Sequence, residues 1–423
     1  MPQTTTLDNG LRVVTEAMPQ MQSVTLGLFC ATGSRYEAPA ANGISHFLEH
    51  MFFKGSAKRP DPLLIARAIE GIGGHFNGYT HQEATAFYAV TLAEHFPIAL
   101  DVISDMILHP VMDPEALSRE RVVVIQEIRT AKDVPQSWVH ELLQEEMYRE
   151  QALGRPIAGT EEVVGALDAP GCLAYRADWY HPKNLVLSVA GRIEHEHVVE
   201  QAAQAMAAEA SGRVAEYEPA QSDQTELRVK HEQRDCEEVH LCLGFRGLPR
   251  RHPDEYAVRV LDTIMGSGMS SRLFQEIREK RGLAYSVGAY PRFWQDAGAW
   301  TVYGSVERAK VDEAMTALIE QLHRISNERV DETEFNEAKQ FIKGSVLLGL
   351  ESTQSFAMML GERMLHSGTT TTAAEIGAKI DAVTAEAVQR VAGEIITRQR
   401  ATLAVVGPVT EEEFGKLAER VHI

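Results

Sequence analysis

Residues 184–191 read NLVLSVAG, and residues 401–407 read ATLAVVG. Both are apolar runs that end in glycine, as a buried strand often does before a turn. A second pair matches in the same way, because VTLGL at 24–28 and VHLCL at 239–243 place large apolar residues at alternate positions. The members of each pair lie about 215 residues apart. The sequence therefore predicts two copies of one α/β unit that arose by internal duplication.

The segments between these strands repeat in the same order. In each half an alternating strand is followed by helical patterns, then by two strand-like segments and an amphipathic helix. Helix starts are marked by Asp61-Pro62 and Asp113-Pro114, and Asn9-Gly10 predicts a hairpin turn near the N-terminus. We expect an α+β fold with mainly antiparallel sheets flanked by helices. The predicted domains are 1–209 and 226–423, joined by a polar linker at 210–225.

Composition excludes several classes of protein. The 423 residues include 41 Lys+Arg and 60 Asp+Glu, for a formal charge of -19. Nucleic acid is not an expected partner, because phosphate binding requires clustered basic residues and the chain has no such cluster. The charge is compatible with a basic peptide as partner, or it serves solubility alone. No run of 18 apolar residues occurs, so no membrane span is predicted.

The four cysteines, at positions 30, 172, 236 and 242, form neither a C-x-x-C pair nor a dense framework. Their spacing is typical of a protein from a reducing compartment. The first residues, MPQTTT, do not resemble a signal peptide. We therefore expect a cytoplasmic protein, or one of an organellar matrix if a targeting segment is missing.

A metal-binding motif lies at residues 46–50, HFLEH, where Ser45 could cap a helix. On a helix, His46 and His50 lie one turn apart and can bind one ion, while Glu49 sits beside it as a general base for an attacking water. This is the inverted H-x-x-E-H motif of zinc hydrolases. The alternative is that these polar residues form an ordinary solvated helix face.

Glu127 is the candidate for the third ligand. It ends a run, VVVIQE at 122–127, that could be a buried strand, although the start at Asp113-Pro114 favours a helix. On a helix, Glu120 and Glu127 share a face with Val123 and Val124. Carboxylates on an apolar face need a cation or hydrogen bonds, so Glu127 could bind the metal and Glu120 could support a ligating histidine. Two ordinary surface glutamates are the alternative.

These residues resemble the pitrilysin/insulinase family of inverted zinc peptidases, and in particular its short bacterial members similar to the mitochondrial processing peptidase. In that family a ligating glutamate follows the motif far downstream, and another glutamate precedes it by two helical turns. The resemblance implies that His46, His50 and Glu127 bind one zinc ion per chain. It also implies that Glu49 is the general base and that Glu120 supports the site.

Two more segments carry the resemblance. Residues 73–80, GGHFNGYT, resemble the family's segment that leads into a substrate-pairing edge strand, with Asn77 and Gly78 at its centre. The family commonly has alanine where this chain has Gly78, and without the family the segment would read as a glycine-rich turn. Residues 270–285 resemble the segment in which an arginine and a tyrosine contact the substrate. Those positions are Arg278 and Tyr285. Without the family, Arg278 would be interpreted as part of a charged helix end and Tyr285 as a half-buried strand residue.

The second half has no H-x-x-E-H motif, and the position that repeats Glu127 falls near Lys343 and Gly344. The resemblance implies a zinc metalloendopeptidase that hydrolyses unfolded or presequence-like peptides inside a closed homodimer chamber. Arg278 and Tyr285 would then serve the zinc of the partner subunit, which gives composite active sites. The alternatives are a non-catalytic structural subunit of the core-protein type and a peptide-binding chaperone of the same fold.

Overall fold

The computed structural model describes residues 1–207, 212–222 and 224–423. Of the linker predicted at 210–225, residues 210, 211 and 223 lie outside the described residues. The predicted domain boundaries remain a prediction. The chain forms two compact units, and each unit is assembled from three segments. The first unit comprises Met1–Arg129, Arg155–Glu218 and Leu347–Ala373, and the second comprises Thr130–Gly154, Pro219–Val346 and Ala374–Ile423.

The described strands, in chain order, are β1 (Gln3–Thr6), β2 (Arg12–Ala17), β3 (Ser23–Cys30), β4 (His75–Thr80), β5 (Thr85–Leu92), β6 (Leu185–Gly191), β7 (Arg228–Gln233), β8 (Glu238–Gly247), β9 (Ala284–Phe293), β10 (Gly298–Glu307) and β11 (Ala401–Gly407). The first six form one sheet, in the order β1-β2-β6-β3-β5-β4, and the others form a second sheet, in the order β7-β11-β8-β10-β9.

The described α-helices are α1 (Ile44–Phe52), α2 (Pro62–Glu70), α3 (Phe96–Leu108), α4 (Pro114–Asp133), α5 (Pro135–Met147), α6 (Glu161–Ala166), α7 (Ala169–Trp179), α8 (His195–Ala205), α9 (Glu255–Gly266), α10 (Val311–Asn327), α11 (Glu332–Gly349), α12 (Thr353–Ser367), α13 (Ala373–Asp381), α14 (Ala385–Ile395) and α15 (Glu411–Glu419). A π-helical segment, Phe274–Lys280, lies where the sequence predicts an ordinary helix end.

The two sheets have the same topology, which confirms the internal duplication. The two strand orders correspond position by position. Strands β2-β6-β3-β5-β4 of the first sheet match β7-β11-β8-β10-β9 of the second, and β1 is an additional edge strand of the first sheet. Each sheet contains a parallel pair, β2 with β6 or β7 with β11, and the other described pairings are antiparallel. The predicted α+β class with mainly antiparallel sheets is confirmed.

The two faces of the central strand β3 pack against different layers. Val24, Leu26 and Leu28 belong to a core cluster that also contains buried residues of α1 and α3. The small residues on the other face leave room for α12, and Thr25 Oγ1 lies 2.9 Å from Thr353 Oγ1 of that helix. Helix α12 therefore completes the first unit, although it follows the second sheet's strand β10 in sequence.

The second sheet is covered in a corresponding way by α5, a helix from the first half of the sequence. Leu142, Leu143 and Met147 of α5 are buried in one cluster with Cys242 of the central strand β8. The backbone at Gly244 approaches closely, since a Cβ there would lie 2.5 Å from Met147 Cε. Each unit therefore includes a helix whose neighbours in sequence belong to the other unit. This helix is α12 in the first unit and α5 in the second.

The predicted helix boundaries agree with the structure where capping residues are present. The side chain of Asp61 accepts a hydrogen bond from the Leu63 amide at 2.7 Å, and Asp113 accepts one from the Ala116 amide at 2.7 Å. The hairpin at Asn9-Gly10 joins antiparallel strands β1 and β2, with Gly10 at φ 91°. None of the helices in the described residues has the length and hydropathy that a membrane crossing requires.

The packing of α12 on the first sheet leads to a stability prediction. A Cβ on Gly361 of α12 would lie 1.9 Å from the ring of Phe29, which is fully buried. Gly361→Ala should lower the free energy of unfolding by about 1–3 kcal/mol, because the added methyl group would force the buried ring or the helix to shift. Urea denaturation followed by circular dichroism would measure the change.

Gly377→Ala is the matched control, because Gly377 lies within α13 and a Cβ there would have no neighbour within 4 Å. This substitution should raise the free energy of unfolding by ~0.5–1 kcal/mol, the usual gain of alanine over glycine in a helix. Equal effects of the two substitutions would contradict the close packing of α12 against Phe29.

Candidate metal centre

Helix α1 has two faces with different chemistry. Phe47, Leu48, Met51 and Phe52 are fully buried in the core of the first unit. His46 and His50 project from the remaining face, four residues apart, and each side chain is 18% exposed. The apolar residues therefore fix the rotation of the helix, and this rotation brings both imidazole rings to the same side.

The N-terminus of α1 is capped by Glu37. Its carboxylate accepts hydrogen bonds from the Gly43 amide at 2.6 Å and the Ser45 amide at 2.8 Å. The expectation that Ser45 caps the helix is wrong, because the N-cap residue is Gly43, at φ 97°, and Ser45 lies within the first turn. The Ser45 hydroxyl lies instead 3.0 Å from Tyr175 Oη. Glu37 is buried and lies well before the helix, so no local capping pattern identifies it.

Three potential metal ligands converge beside α1. One ligand atom from each of His46, His50 and Glu127 can be chosen so that all three lie within 4.8 Å of one another. Glu127 Oε2 lies 3.8 Å from His46 Nε2 and 3.5 Å from His50 Nε2. Two imidazole nitrogens and one carboxylate oxygen fit Zn²⁺ and leave one of four tetrahedral positions for water or substrate.

Glu120 orients the His50 ring. Glu120 Oε1 lies 2.8 Å from His50 Nδ1, and its other oxygen, Oε2, lies 2.8 Å from Lys54 Nζ. An ionised carboxylate can only accept, so Nδ1 carries a proton, and Nε2 is the ring nitrogen that faces Glu127. Burial alone would raise the pKa of Glu120, but the hydrogen bonds from His50 and Lys54 outweigh it and lower the pKa.

His46 is neutral near neutral pH. Burial, and then the proximity of His50, lower the pKa of His46 to about 4. Its Nδ1 is buried and has no hydrogen-bond partner among the described residues. A neutral ring with a free lone pair is the form that binds a metal ion. His46 therefore fits a metal ligand better than it fits a solvated polar face.

Glu49 lies on the same helix and contacts strand β4. Thr80 Oγ1 donates a hydrogen bond of 2.6 Å to Glu49 Oε2. Burial raises the pKa of Glu49, although the hydrogen bond from Thr80 acts in the opposite direction. A Cβ on Gly78 would lie 3.2 Å from Glu49 Cγ and 3.1 Å from the Phe87 ring, so the strand passes close to this side chain. Glycine is the residue that leaves Glu49 the most room.

Glu127 and Glu120 both lie on helix α4, which settles the helix-or-strand alternative for this run. Glu120 and Val124 are buried, whereas the Glu127 side chain is 47% exposed and faces the imidazoles. Val123, one helical turn before Glu127, is also partly exposed, at 43%. The position that repeats Glu127 lies on α11, where Lys343 forms an ion pair with Asp381 at 2.9 Å.

Arg278 and Tyr285 lie in the second unit and contact each other. Arg278 Nη1 donates to the Tyr285 carbonyl oxygen at 3.0 Å, and its guanidinium carbon lies 4.4 Å from the centre of the Tyr285 ring. Tyr285 is 77% exposed, so the alternative of a half-buried strand residue is wrong. Arg278 belongs to the π-helical segment Phe274–Lys280, which ends near the start of β9.

The structure thus brings His46, Glu49, His50, Glu120 and Glu127 together in the first unit, with Gly78 beside them. The predicted substrate residue Asn77 accepts a hydrogen bond through Oδ1 from the Gly78 amide at 2.9 Å on the same strand. Sequence reasoning missed the contributions of Glu37, Lys54 and Thr80. Lys54 follows the motif closely and could have been noticed as a cation near the predicted carboxylates, whereas Glu37 and Thr80 are identified only by their contacts.

Both halves of the chain match models of a known protein family. Residues 12–161 match the family described as "Insulinase (Peptidase family M16)", and residues 172–342 match "Peptidase M16 inactive domain". The chain is 38% identical over 403 residues to the "Uncharacterized zinc protease YmxG" of Bacillus subtilis, covering 95% of this chain and 97% of the relative. The chain therefore belongs to peptidase family M16, and its relatives' names support a metallopeptidase.

Solved structures agree with this fold. A protease from Helicobacter pylori superposes with a TM-score of 0.91 at 19% identity, covering 96% of this chain and 99% of that one. A chain of complex III2 from Candida albicans superposes with a TM-score of 0.84 at 20% identity, covering 99% of both. At these identities the similarity shows the fold alone, and the fold is common to a protease and to a chain of complex III2.

The contact between Glu120 and His50 leads to a prediction about zinc affinity. Glu120→Gln should weaken zinc binding by about 10- to 100-fold, because the neutral amide holds the His50 ring less firmly and donates less electron density through it. Competition with a chromogenic chelator would measure the dissociation constant.

Glu115→Gln on the same helix is the control, since Glu115 is exposed and pairs only loosely with Arg119 at 3.5 Å. It should leave zinc affinity unchanged. If Glu120→Gln and Glu115→Gln had the same zinc affinity as the unchanged chain, Glu120 would not support the metal site.

Proposed function

We propose that this chain is a zinc metalloendopeptidase that hydrolyses extended peptides. The observation that carries the proposal is the convergence of His46, His50 and Glu127 within 4.8 Å, with Glu49 on the same helix. The sequence of the second half contains no H-x-x-E-H motif, so we propose one zinc ion per chain. Zinc, when bound, would lower the pKa of water and polarise the carbonyl group of the peptide bond.

Glu49 would be the general base. Its carboxylate would take a proton from the water that attacks the peptide carbonyl carbon, and would later deliver a proton to the leaving amine nitrogen. Burial favours this role, because a raised pKa makes a carboxylate a stronger base at neutral pH. The hydrogen bond from Thr80 to Oε2 leaves Oε1 available for the proton.

Strand β4 would hold the peptide in an extended conformation. It is the edge strand of its sheet and is paired on one side with β5, so its other edge can pair with another chain. The Gly78 amide, one of the backbone donors of β4, donates its hydrogen bond to Asn77 Oδ1. A peptide carbonyl would take the place of that side-chain oxygen. Main-chain pairing of this kind tolerates varied side chains.

The finer features of the proposal rest on the family resemblance. We propose a homodimer that encloses a chamber, in which Arg278 and Tyr285 serve the zinc of the partner subunit. The exposure of the Tyr285 phenol supports this role, since a free hydroxyl can donate to an oxyanion. The charge of -19 supports basic, presequence-like substrates. Bacterial relatives support a cytoplasmic location.

A non-catalytic structural subunit and a peptide-binding chaperone are the competing functions. The complex III2 chain has the same fold, so the fold alone does not distinguish them. The present chain keeps a carboxylate at the base position as well as three ligand candidates, which favours the enzyme.

Glu49→Gln tests the enzyme directly. The variant should keep one zinc per chain and bind peptide, while kcat for an unstructured peptide falls by about 10²–10⁴-fold, because the amide accepts no proton. Metal analysis and a fluorogenic peptide assay, with and without a chelator, would measure both quantities. Glu127→Gln, by contrast, should lose zinc affinity as well. Full turnover by Glu49→Gln would rule out the proposed base.

Shared active sites can be tested by mixing two inactive variants. If Arg278 serves the partner's zinc, a re-equilibrated equal mixture of Glu49→Gln and Arg278→Ala chains should recover about a quarter of the unmixed wild-type activity, since half of the dimers carry one intact site of two. Activity that never exceeds that of the parent variants would contradict the sharing.

A further inference from the structure

Strand β4 contacts the proposed base as well as offering its edge to a peptide. Thr80, the last residue of β4, is buried, and its hydroxyl donates to Glu49 Oε2 at 2.6 Å. Gly78, two residues earlier, lies on the same face of the strand, and its backbone approaches Glu49 closely enough that a Cβ would lie 3.2 Å from Glu49 Cγ. One face of β4 is therefore shaped around this carboxylate.

The other face of β4 is anchored to the rest of the first unit. Tyr79 Oη donates a hydrogen bond of 3.0 Å to Glu362 Oε1 of helix α12. Backbone pairing with β5 continues along the whole strand, from His75 opposite Val90 to Thr80 opposite Thr85. The strand is consequently held from its paired edge and from the α12 side, so the Thr80 hydroxyl has a fixed position.

We propose that Thr80 is a positioning residue that holds Glu49 in register with the peptide on β4. The inference rests on the proposed function and deepens it. With Oε2 occupied by the Thr80 hydroxyl, the carboxylate rotates less freely and Oε1 is presented for proton transfer. Because the same short strand pairs with the peptide, the distance between the peptide and the base is set within one element. A peptide that pairs with β4 is thereby aligned with the Glu49 carboxylate that Thr80 holds in place.

Substitutions can distinguish a role of Thr80 in positioning Glu49 from a purely structural role. Thr80→Val keeps the shape of the side chain and removes the hydroxyl, whereas Thr80→Ser keeps the hydroxyl. Thr85→Val is the matched control, because Thr85 is the cross-strand partner of Thr80, is also buried and donates to the Thr32 carbonyl oxygen at 3.1 Å. In the described part of the chain this hydroxyl bonds to Thr32 rather than to Glu49, so its loss should affect stability alone.

For Thr80→Val we expect kcat to fall by about 10- to 100-fold while KM is unchanged, since a misplaced base slows proton transfer and leaves peptide pairing intact. Zinc affinity, measured by chelator competition, should stay at the wild-type value. Thr80→Ser should recover most of the lost kcat, and Thr85→Val should keep the wild-type kcat even if its melting temperature falls.

A crystal structure of the zinc-free Thr80→Val protein supplies a readout that does not depend on activity. The Glu49 carboxylate should be displaced or should adopt more than one conformer, whereas it should keep its position in Thr85→Val. An unchanged Glu49 together with a wild-type kcat would overturn the proposal, as would equal losses of kcat in Thr80→Val and Thr85→Val. Absence of zinc-dependent cleavage by the unchanged chain would instead overturn the proposed function, and the zinc-free structures would still decide the role of Thr80.

Discussion

The capping of α1 by the buried carboxylate of Glu37 is the interaction on which the metal centre depends. A helix begins with backbone amides that lack partners within the helix, and here one side chain accepts from two positions, Gly43 and Ser45. Asn42 donates to the same carboxylate at 2.9 Å. The negative charge also lies at the positive end of the helix dipole. Because the start of α1 is fixed in this way, His46 and His50 emerge at defined heights beside α4.

The charges around the metal centre compensate one another. Glu120 is buried, which is costly for a carboxylate, but it accepts hydrogen bonds from His50 on one oxygen and interacts with Lys54 on the other. Removing either partner would leave a buried charge with fewer partners. Glu127, by contrast, remains half exposed and lies 3.5 Å from His50 Nε2. The site therefore combines one buried carboxylate that orients a ring with one half-exposed carboxylate that faces the candidate ligand atoms.

The duplicated units retain the backbone topology but differ in chemistry. Both sheets have the same strand order, and each has a helix, α12 or α5, on the face opposite its main core. A sheet needs small residues where such a helix packs closely, which explains Gly27 in β3 and Gly244 in β8. The position on α11 that corresponds to Glu127 offers no carboxylate, and Lys343 there forms an ion pair with Asp381. Packing constrains both copies, whereas the cluster of candidate metal ligands in the described residues lies in the first copy.

Local patterns in the sequence determined much of this protein. The alternation at 24–28 and 239–243 identified the central strands and the duplication, the acid–proline pairs located helix starts, and the spacing within HFLEH placed two imidazoles on one side of α1. Glu120 and Glu127 were found from helical spacing. These features depend on neighbours along the chain. Tertiary structure alone decided the Glu37 cap, the Thr80 contact, the exposure of Tyr285 and Val123, and the exchange of α5 and α12 between units. Each of these depends on which distant segments meet, and local periodicity carries no information about long-range contacts.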